Sequence, residues 1–168
     1  MASLPRERFS VVFEPGCSNG ELTIQLASRC DRVVAWDVVD DALARTRTRA
    51  IAAGFPGVEI RHGALPDDWP DEHADLIVLA EVGYYLDAPD PNRAVDLALS
   101  RLQRTGALGA VHWRHAAPDY PLTGDQVHQI IDAHEDLDRL GGYQDDDFRL
   151  DVWTHAPVQS VAVQTGVI

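Results

Sequence analysis

The segment VVFEPGCSNGELTIQLASRC, residues 11 to 30, and the RVVAWDVVDDAL that comes after it constrain this chain more than any other stretch. They read as an apolar strand, a loop of small residues, a helix and a second strand ending in Asp37. That order is a nucleotide-binding βαβ unit. The loop must let a ligand press against bare backbone, and Gly16 and Gly20 suit it because they lack a Cβ and tolerate positive φ. Ser18 is the next smallest choice. Asp37 closes the second strand about 20 residues after the loop, where a carboxylate can accept from both hydroxyls of a ribose. An adenosine derivative is the expected ligand.

The glycine spacing separates two ligand families. A dinucleotide loop, G-x-G-x-x-G, would need Gly at 18 and 21, where this chain has Ser18 and Glu21. A nicotinamide-dependent reductase is therefore a weak alternative. What stands instead is Glu14-x-Gly16-x-Ser18-x-Gly20, which resembles the acidic loop of class I S-adenosylmethionine methyltransferases, with Ser for the middle Gly. An acid suits that ligand, which carries an ammonium group and no phosphates.

At 168 residues the chain fits a single domain able to bury a core without disulfides or metals. No apolar run is long enough for a bilayer, and MASLPRERFS lacks the apolar centre of a secretory signal, so a soluble cytoplasmic protein is the expectation. Cys17 and Cys30 lie at opposite ends of a helix, roughly 15 to 20 Å apart, too far for a disulfide. Cys17 reads as a small loop residue. The net charge is -13 and all 14 basic residues are Arg, which disfavours binding to nucleic acid.

Strands are expected at Ser10 to Glu14, Arg32 to Asp37, Val58 to His62, Ala74 to Ala80 and Ala107 to His112, with helices between most of them. Such alternation means a parallel sheet covered on both faces. The helix from Asp41 is expected to end near Gly54. Val95, Ala98, Leu99 and Leu102 form one apolar stripe on a helix ended by Gly106. Thr123-x-x-Gln126 reads as a capping box opening the last helix, along which Val127, Ile130, Ile131 and His134 recur at helical spacing. Beyond it LDRLGGYQ and FRLDVWTH flank Asp145-Asp146-Asp147 as an antiparallel hairpin.

Together these features resemble a class I S-adenosylmethionine-dependent methyltransferase, over nearly the whole chain. The resemblance implies a Rossmann-like three-layer α/β/α fold with a seven-stranded sheet, order 3-2-1-4-5-7-6, strand 7 antiparallel. More narrowly, ADLIVLAEVGYYLD, AVHWRHAAPDYPLTGDQVH and DDDFRLDVWTHAPVQSVA are similar to the nodulation protein S type, whose characterised members N-methylate the free amine of a glucosamine unit on a chitooligosaccharide. By this resemblance Glu14, Gly16, Cys17, Ser18 and Gly20 surround the methionine part of the cofactor, Asp37 holds the ribose, and Val38 and Val39 flank the adenine. Ala64, followed by Leu65, stands where many relatives place an Asp for the adenine amino group, so that contact must come from backbone or water. Family members carry several dozen residues, largely helical, before the first strand. Here that strand begins near residue 10, so an open site is expected, covered by a longer natural start or by a second chain such as a dimer partner, or else low in activity.

Methyl transfer from a sulfonium is an in-line displacement, and an amine acceptor must be neutral to react. His112 and His115 are the candidate bases, since imidazole titrates near neutrality. Glu81, at the carboxyl edge of strand four, is a candidate both for the cofactor site and for orienting the amine or taking its proton. Tyr84, Tyr85 and Tyr120 offer a wall for a sugar face, and Arg114 and Asp119 can bind hydroxyls. His112-x-x-His115 lacks a third ligand at fitting spacing, so no metal is expected. His128 reads as a surface or packing residue, and Trp69 as a shield on the adenine side. The expected function is N-methylation of an amine on a small saccharide or amino-sugar metabolite. O-methylation, and a cofactor-binding partner subunit without turnover, stay open as alternatives.

Overall fold

Period-two burial along the first, second and fourth strands decides the architecture, because neighbouring residues are buried on opposite sides of one sheet. Val12, Val33 and Leu76 pack with Leu26 and Leu43 on one side, whereas Phe13, Val34 and Ile77 pack with Val95, Leu99, Val127 and Ile131 on the other. Strands apolar on both faces need helices on both faces, which gives three layers. The computed structural model describes residues 4–164, 166 and 167. Residues 1–3, the start of the MASLPRERFS stretch weighed above for signal character, lie outside the described residues.

The described elements are β1 (Phe9–Pro15), α1 (Glu21–Ala27), β2 (Cys30–Asp37), α2 (Asp40–Ala52), β3 (Glu59–His62), β4 (Ala74–Ala80), a 3-10 turn (Gly83–Tyr85), α3 (Asp90–Arg101), β5 (Leu102–Trp113), α4 (Gly124–Asp132), β6 (Leu137–Gln144), β7 (Phe148–His155) and α5 (Val161–Gln164). They form a seven-stranded sheet ordered β3-β2-β1-β4-β5-β7-β6. All pairs are parallel except β5 with β7 and β7 with β6. The expected order and the reversed strand are therefore present. None of the described helices is long and apolar enough to cross a membrane.

Local chemistry fixes the joints. The buried Asp75 carboxylate, at the start of β4, accepts from the Ser10 and Val11 amides at 2.8–3.0 Å and so anchors the lower end of β1. The capping box at α4 is complete, with Gln126 N–H donating to Thr123 Oγ1 at 3.2 Å and Thr123 N–H to Gln126 Oε1 at 2.8 Å. At the hairpin, Asp145 Oδ1 accepts from the amides of Asp147 and Phe148, so the acidic tip is a closed turn.

Three expectations need correction. α3 ends at Arg101 rather than Gly106, so Leu102, the last residue of the supposed helical stripe, already belongs to β5. The register between β4 and β5 then shifts between Ala74↔Leu102 and Leu76↔Ala107, an irregularity that leaves Gly106 inside the strand, where a Cβ would meet Leu102 Cδ1 at 2.7 Å. α4 is not the last helix, since the short α5 follows β7.

Gly20 is a hinge of the fold and not a lining residue of the cleft. Its φ is +80°, and a Cβ there would lie 2.8 Å from Thr46 Cγ2 and 3.0 Å from the Thr46 Cα, because α1 starts directly against α2. Gly20→Ala is expected to destabilise the protein by about 2–4 kcal/mol, combining left-handed strain with overpacking. A urea midpoint close to that of the wild type would show that α1 can move away from α2.

Candidate active site

The carboxyl ends of β1, β2 and β4 open into a cleft of about 880 Å³. β1 feeds α1 on one face of the sheet and β4 feeds α3 on the other, so the connections diverge and leave a gap at the switch point. The loop after β1 crosses that gap with left-handed backbone at Gly16 (φ 71°) and Ser18 (φ 49°). At Gly16 a Cβ would sit 2.8 Å from Val82 Cγ2, so only Gly lets this loop lie against the segment after β4. Ser18 adopts a conformation that glycine takes freely, at a strain of about 1–2 kcal/mol. Its amide donates to Asp37 Oδ2 at 2.9 Å and its carbonyl accepts from Thr46 Oγ1 at 2.8 Å.

Asp37 ties the two loops together. Its Oδ2 holds Ser18 and its Oδ1 accepts from the Val39 amide at 3.0 Å, leaving one lone pair on each oxygen for other donors. Val38 and Val39 are about half exposed beside it and line the cleft. Ala64 and Leu65 line it as well, but both backbone groups of Ala64 are engaged by Asp68: its N–H donates to Asp68 Oδ2 and its carbonyl accepts from the Asp68 amide, each at 2.9 Å. The Ala64 carbonyl keeps a second lone pair, while its N–H is taken.

Glu14 lies at the floor, 2% exposed, and its Oε2 has no hydrogen-bond partner among the described residues. Burial pushes its carboxyl up to about 8, with nearby Thr23 pulling weakly the other way. Cys17 lines the cleft too, and burial, aided by Glu14, pushes its thiol up to about 12, so it is an inert lining group.

On the β4 side Glu81 has a left-handed backbone, φ 55°, unusual for a side chain of this kind. Its Oε1 accepts from the Trp113 amide at 3.0 Å and its Oε2 from the Tyr84 hydroxyl. Tyr84 stacks on Tyr120, ring centroids 4.3 Å apart, and Tyr85 donates to the Tyr120 hydroxyl at 3.2 Å. Tyr84 and Tyr85 line the cleft and Tyr120 backs them. Burial and then Glu81 raise the Tyr84 phenol well above its ordinary value, so it stays a donor.

Several candidates sit elsewhere. His112 is fully buried, its Nε2 accepting from the Gly83 amide at 3.1 Å and its Nδ1 lying 3.2 Å from His128 Nε2. Burial and His128 lower its imidazole to about 3, so it cannot serve as a base for an acceptor in the cleft. His128 is equally buried, not a surface residue. His115 pairs with Asp147 at 2.8 Å outside the cleft lining, and Arg114 is held by Asp125 at 3.1 Å on the same side. Asp119 is exposed on the loop before α4. Trp69 does not face the cleft but packs edge-on against Trp36, centroids 5.4 Å apart, and Trp36 lines it instead. Asn19, Glu21, Leu22 and Leu86 also line the cleft. The first three follow Ser18 directly, so only their place at the start of α1 could have marked them.

The cleft therefore has a sign. Glu14, Glu21, Asp37 and Glu81 line it, and no Arg or His does among the described residues. Such a pocket suits a cation and repels phosphate.

The sequence profile described as a methyltransferase domain matches residues 12–106, more than half of the chain. This chain belongs to that family. Nodulation protein S of Rhizobium tropici is 34% identical over 109 residues, 64% of this chain and 45% of that protein. The chain spans about half the length of the curated relatives it matches. A solved structure from Pseudomonas syringae, carrying a provisional methyltransferase assignment, is 42% identical with a TM-score of 0.79 and 92% of each chain covered. N-methyltransferase NodS from Bradyrhizobium japonicum WM9, solved with S-adenosyl-L-homocysteine, is 26% identical with a TM-score of 0.80, covering 89% of this chain and 79% of that one. The fold of this chain is thus that of NodS.

Three buried groups set a pH signature. Glu14 keeps a proton in the folded state between about 4.5 and 8 that the unfolded chain releases, so its contribution to stability falls as pH rises through that window. His112 refuses a proton between about 3 and 6.5 that the unfolded chain accepts, so its contribution falls as pH drops. His128 is lowered in the same direction by its burial and adds to that acid limb. Each proton changes stability by about 1.4 kcal/mol per pH unit. Below about 6.5 the two histidines together outweigh Glu14, so the ligand-free protein is expected to gain stability up to about 6.5 and to lose it from there to about 8. Denaturation across pH should show Glu14→Gln removing the alkaline decline and His112→Gln weakening the acid one; an unaltered profile in either variant would assign that limb to other groups.

Proposed function

We propose that the cleft binds S-adenosylmethionine and that the chain directs methyl transfer to the amine of a small saccharide or amino-sugar metabolite. The observation that carries this reading is the buried Glu14 carboxyl, whose Oε2 has no hydrogen-bond partner among the described residues, in a cleft lined by four acids and, among the same residues, no cationic side chain. A buried carboxyl oxygen left without a hydrogen bond is costly, and an ammonium group offsets that cost. The fit extends along the cleft: the spare Asp37 lone pairs suit ribose hydroxyls, and Val38, Val39 and Leu65 supply apolar flanks for a base.

When bound, the cofactor supplies a methyl group on a sulfonium, open to in-line attack. The protein's part is to place a lone pair behind that carbon and keep it there. Glu81, fixed by the Trp113 amide and the Tyr84 hydroxyl, holds an acceptor ammonium and takes up its proton as the nitrogen becomes nucleophilic. Tyr85, 55% exposed at the mouth, offers the face of a ring for the acceptor's apolar side. With His112 buried and His115 outside the lining, the cleft presents carboxylates and, among the described residues, no imidazole as a base. A carboxylate can relieve an ammonium of its proton far more readily than it can ionise a hydroxyl, which favours amine over alcohol acceptors. NodS, to which the chain is similar, is named as an N-methyltransferase, in line with this choice.

Calorimetry tests the cofactor half. At pH 6.5 the Glu14 carboxyl is protonated, so binding an ammonium should release about one proton, seen as a dependence of the binding heat on buffer ionisation. Glu14→Gln should abolish the release; binding without proton release in the wild type would detach Glu14 from the ligand. Labelled cofactor with deacetylated chitooligosaccharides, against their N-acetylated forms as controls, tests the acceptor half. Glu81→Gln should slow transfer by about 10²–10⁴-fold while leaving S-adenosylhomocysteine affinity unchanged. Equal loss of both would place Glu81 on the cofactor side alone.

A further inference from the structure

Behind the tyrosines a line of buried polar groups crosses four elements. The Gly83 amide donates to His112 Nε2 at 3.1 Å, His112 Nδ1 lies 3.2 Å from His128 Nε2, and His128 Nδ1 lies 2.7 Å from Asp151 Oδ2. Both imidazoles and the Asp151 carboxylate are fully buried. Asp151 belongs to β7 and is paired with Arg139 of β6 and, at 2.6 Å, with Arg149. Asp132 of α4 accepts from Arg149 at 2.9 Å and from the Trp153 indole at 2.8 Å. The ring of Tyr84 packs against His112, centroids 5.4 Å apart.

The two ends of this line dictate every proton in it. A backbone amide can only donate, so His112 Nε2 must be a lone pair and its hydrogen must sit on Nδ1. That hydrogen points at His128 Nε2, which must then be a lone pair, leaving the His128 hydrogen on Nδ1 for a carboxylate that can only accept. A single arrangement satisfies all four groups, with both rings neutral. Adding a proton to either ring would set two N–H groups against each other. The line also ends on an amide that cannot pass a proton onward, so it serves no acid–base step at Glu81. Its one output is mechanical: it grips the turn Gly83–Tyr85. Gly83 is seated so tightly that a Cβ would meet Val127 Cγ1 at 2.6 Å and His112 Nε2 at 3.1 Å.

We propose that His112 and His128 are positioning residues for the acceptor side of the cleft, their fixed tautomers locking the Gly83–Tyr85 turn so that the Tyr84 hydroxyl is aimed at Glu81. The locking is independent of any ligand; its effect on transfer rests on the proposed acceptor role of Glu81.

Nitrogen-15 NMR of histidine-labelled wild-type protein reads the tautomers directly, with both rings expected to carry hydrogen on Nδ1. A hydrogen on Nε2 of either ring would overturn the proposal without any variant. His112→Phe should strand the Gly83 amide and raise its hydrogen exchange by about tenfold or more, with the Ile77 and Leu108 amides of the sheet unchanged. His112→Gln, which returns an acceptor oxygen to the place of Nε2, should restore protection. With deacetylated chitotriose as acceptor, His112→Phe should lower kcat/KM by about 10²-fold at unchanged S-adenosylhomocysteine affinity, and His112→Gln should recover most of it. A merely structural role would instead lower sheet protection and cofactor affinity together. Wild-type rates in His112→Phe, or a Gly83 amide no faster than before, would sink the idea. Should the wild type leave chitotriose unmethylated, that failure belongs to the acceptor assignment, and tautomer and Gly83 exchange still decide the positioning role.

Discussion

The divergence of two helices at neighbouring strands is the constraint on which the rest depends. Because β1 sends its chain to one face of the sheet and β4 to the other, no connection closes over their carboxyl ends, and a parallel sheet cannot avoid a gap there. Asp37 turns that gap into a shaped cleft by holding the Ser18 and Val39 amides with one carboxylate. Two loops that would each be free to move are thereby fixed relative to one another. The left-handed residues Gly16 and Ser18 are the backbone's answer to the same requirement, since a right-handed turn would carry the loop away from β2.

Charge is placed with the same economy. Most of the acidic residues of the chain lie on its surface, where they are screened and contribute little. Glu14 differs, because desolvation raises its carboxyl and no neighbour hydrogen-bonds its Oε2. Below about pH 8 it therefore holds a proton, which an entering cation would displace. The opposite solution holds beneath the tyrosines, where two imidazoles stay neutral and their hydrogens are spent on orientation.

The layers, the closing antiparallel hairpin and the tight loop after β1 were legible in the sequence because each depends on short-range pattern: alternation along strands, a short acidic turn between two of them, and small residues at 16, 18 and 20 where the backbone is left-handed. The strand order came from the family resemblance, since no local pattern carries it. The histidines were not legible. His112 and His115 look alike at the end of one strand, yet His112 turns toward α4 and His128 while His115 pairs with Asp147 across the hairpin. Those partners lie 16 and 32 residues further along the chain, and no local pattern announces them. Trp69 was taken as the shield and Trp36 passed over for a similar reason, since both belong to one edge-on aromatic cluster and only its depth tells which faces the cleft. The bulge that keeps Gly106 within β5 was hidden because a glycine after an amphipathic helix ordinarily marks the helix end.

The two sides of the cleft are built from different parts of the chain, and this explains how far the general family resemblance reaches. The side proposed to hold the cofactor uses the loops after β1, β2 and β3, and the match to the methyltransferase domain runs from residue 12 to 106. The side proposed for the acceptor draws on the Gly83–Tyr85 turn, the end of β5, the loop carrying Tyr120, α4 and β7, and all but the first of these lie beyond that match. The sides meet closely where Gly16 abuts Val82, next to Glu81. On the proposed division, residues 107–155 could be altered for another acceptor without touching the loops after β1, β2 and β3, provided the buried line from Asp151 to Gly83 keeps its donors and acceptors in order. That condition ties the sequence of α4 to that of β7, because a residue replacing His128 must both accept from His112 and donate to Asp151, and few side chains do both from one position.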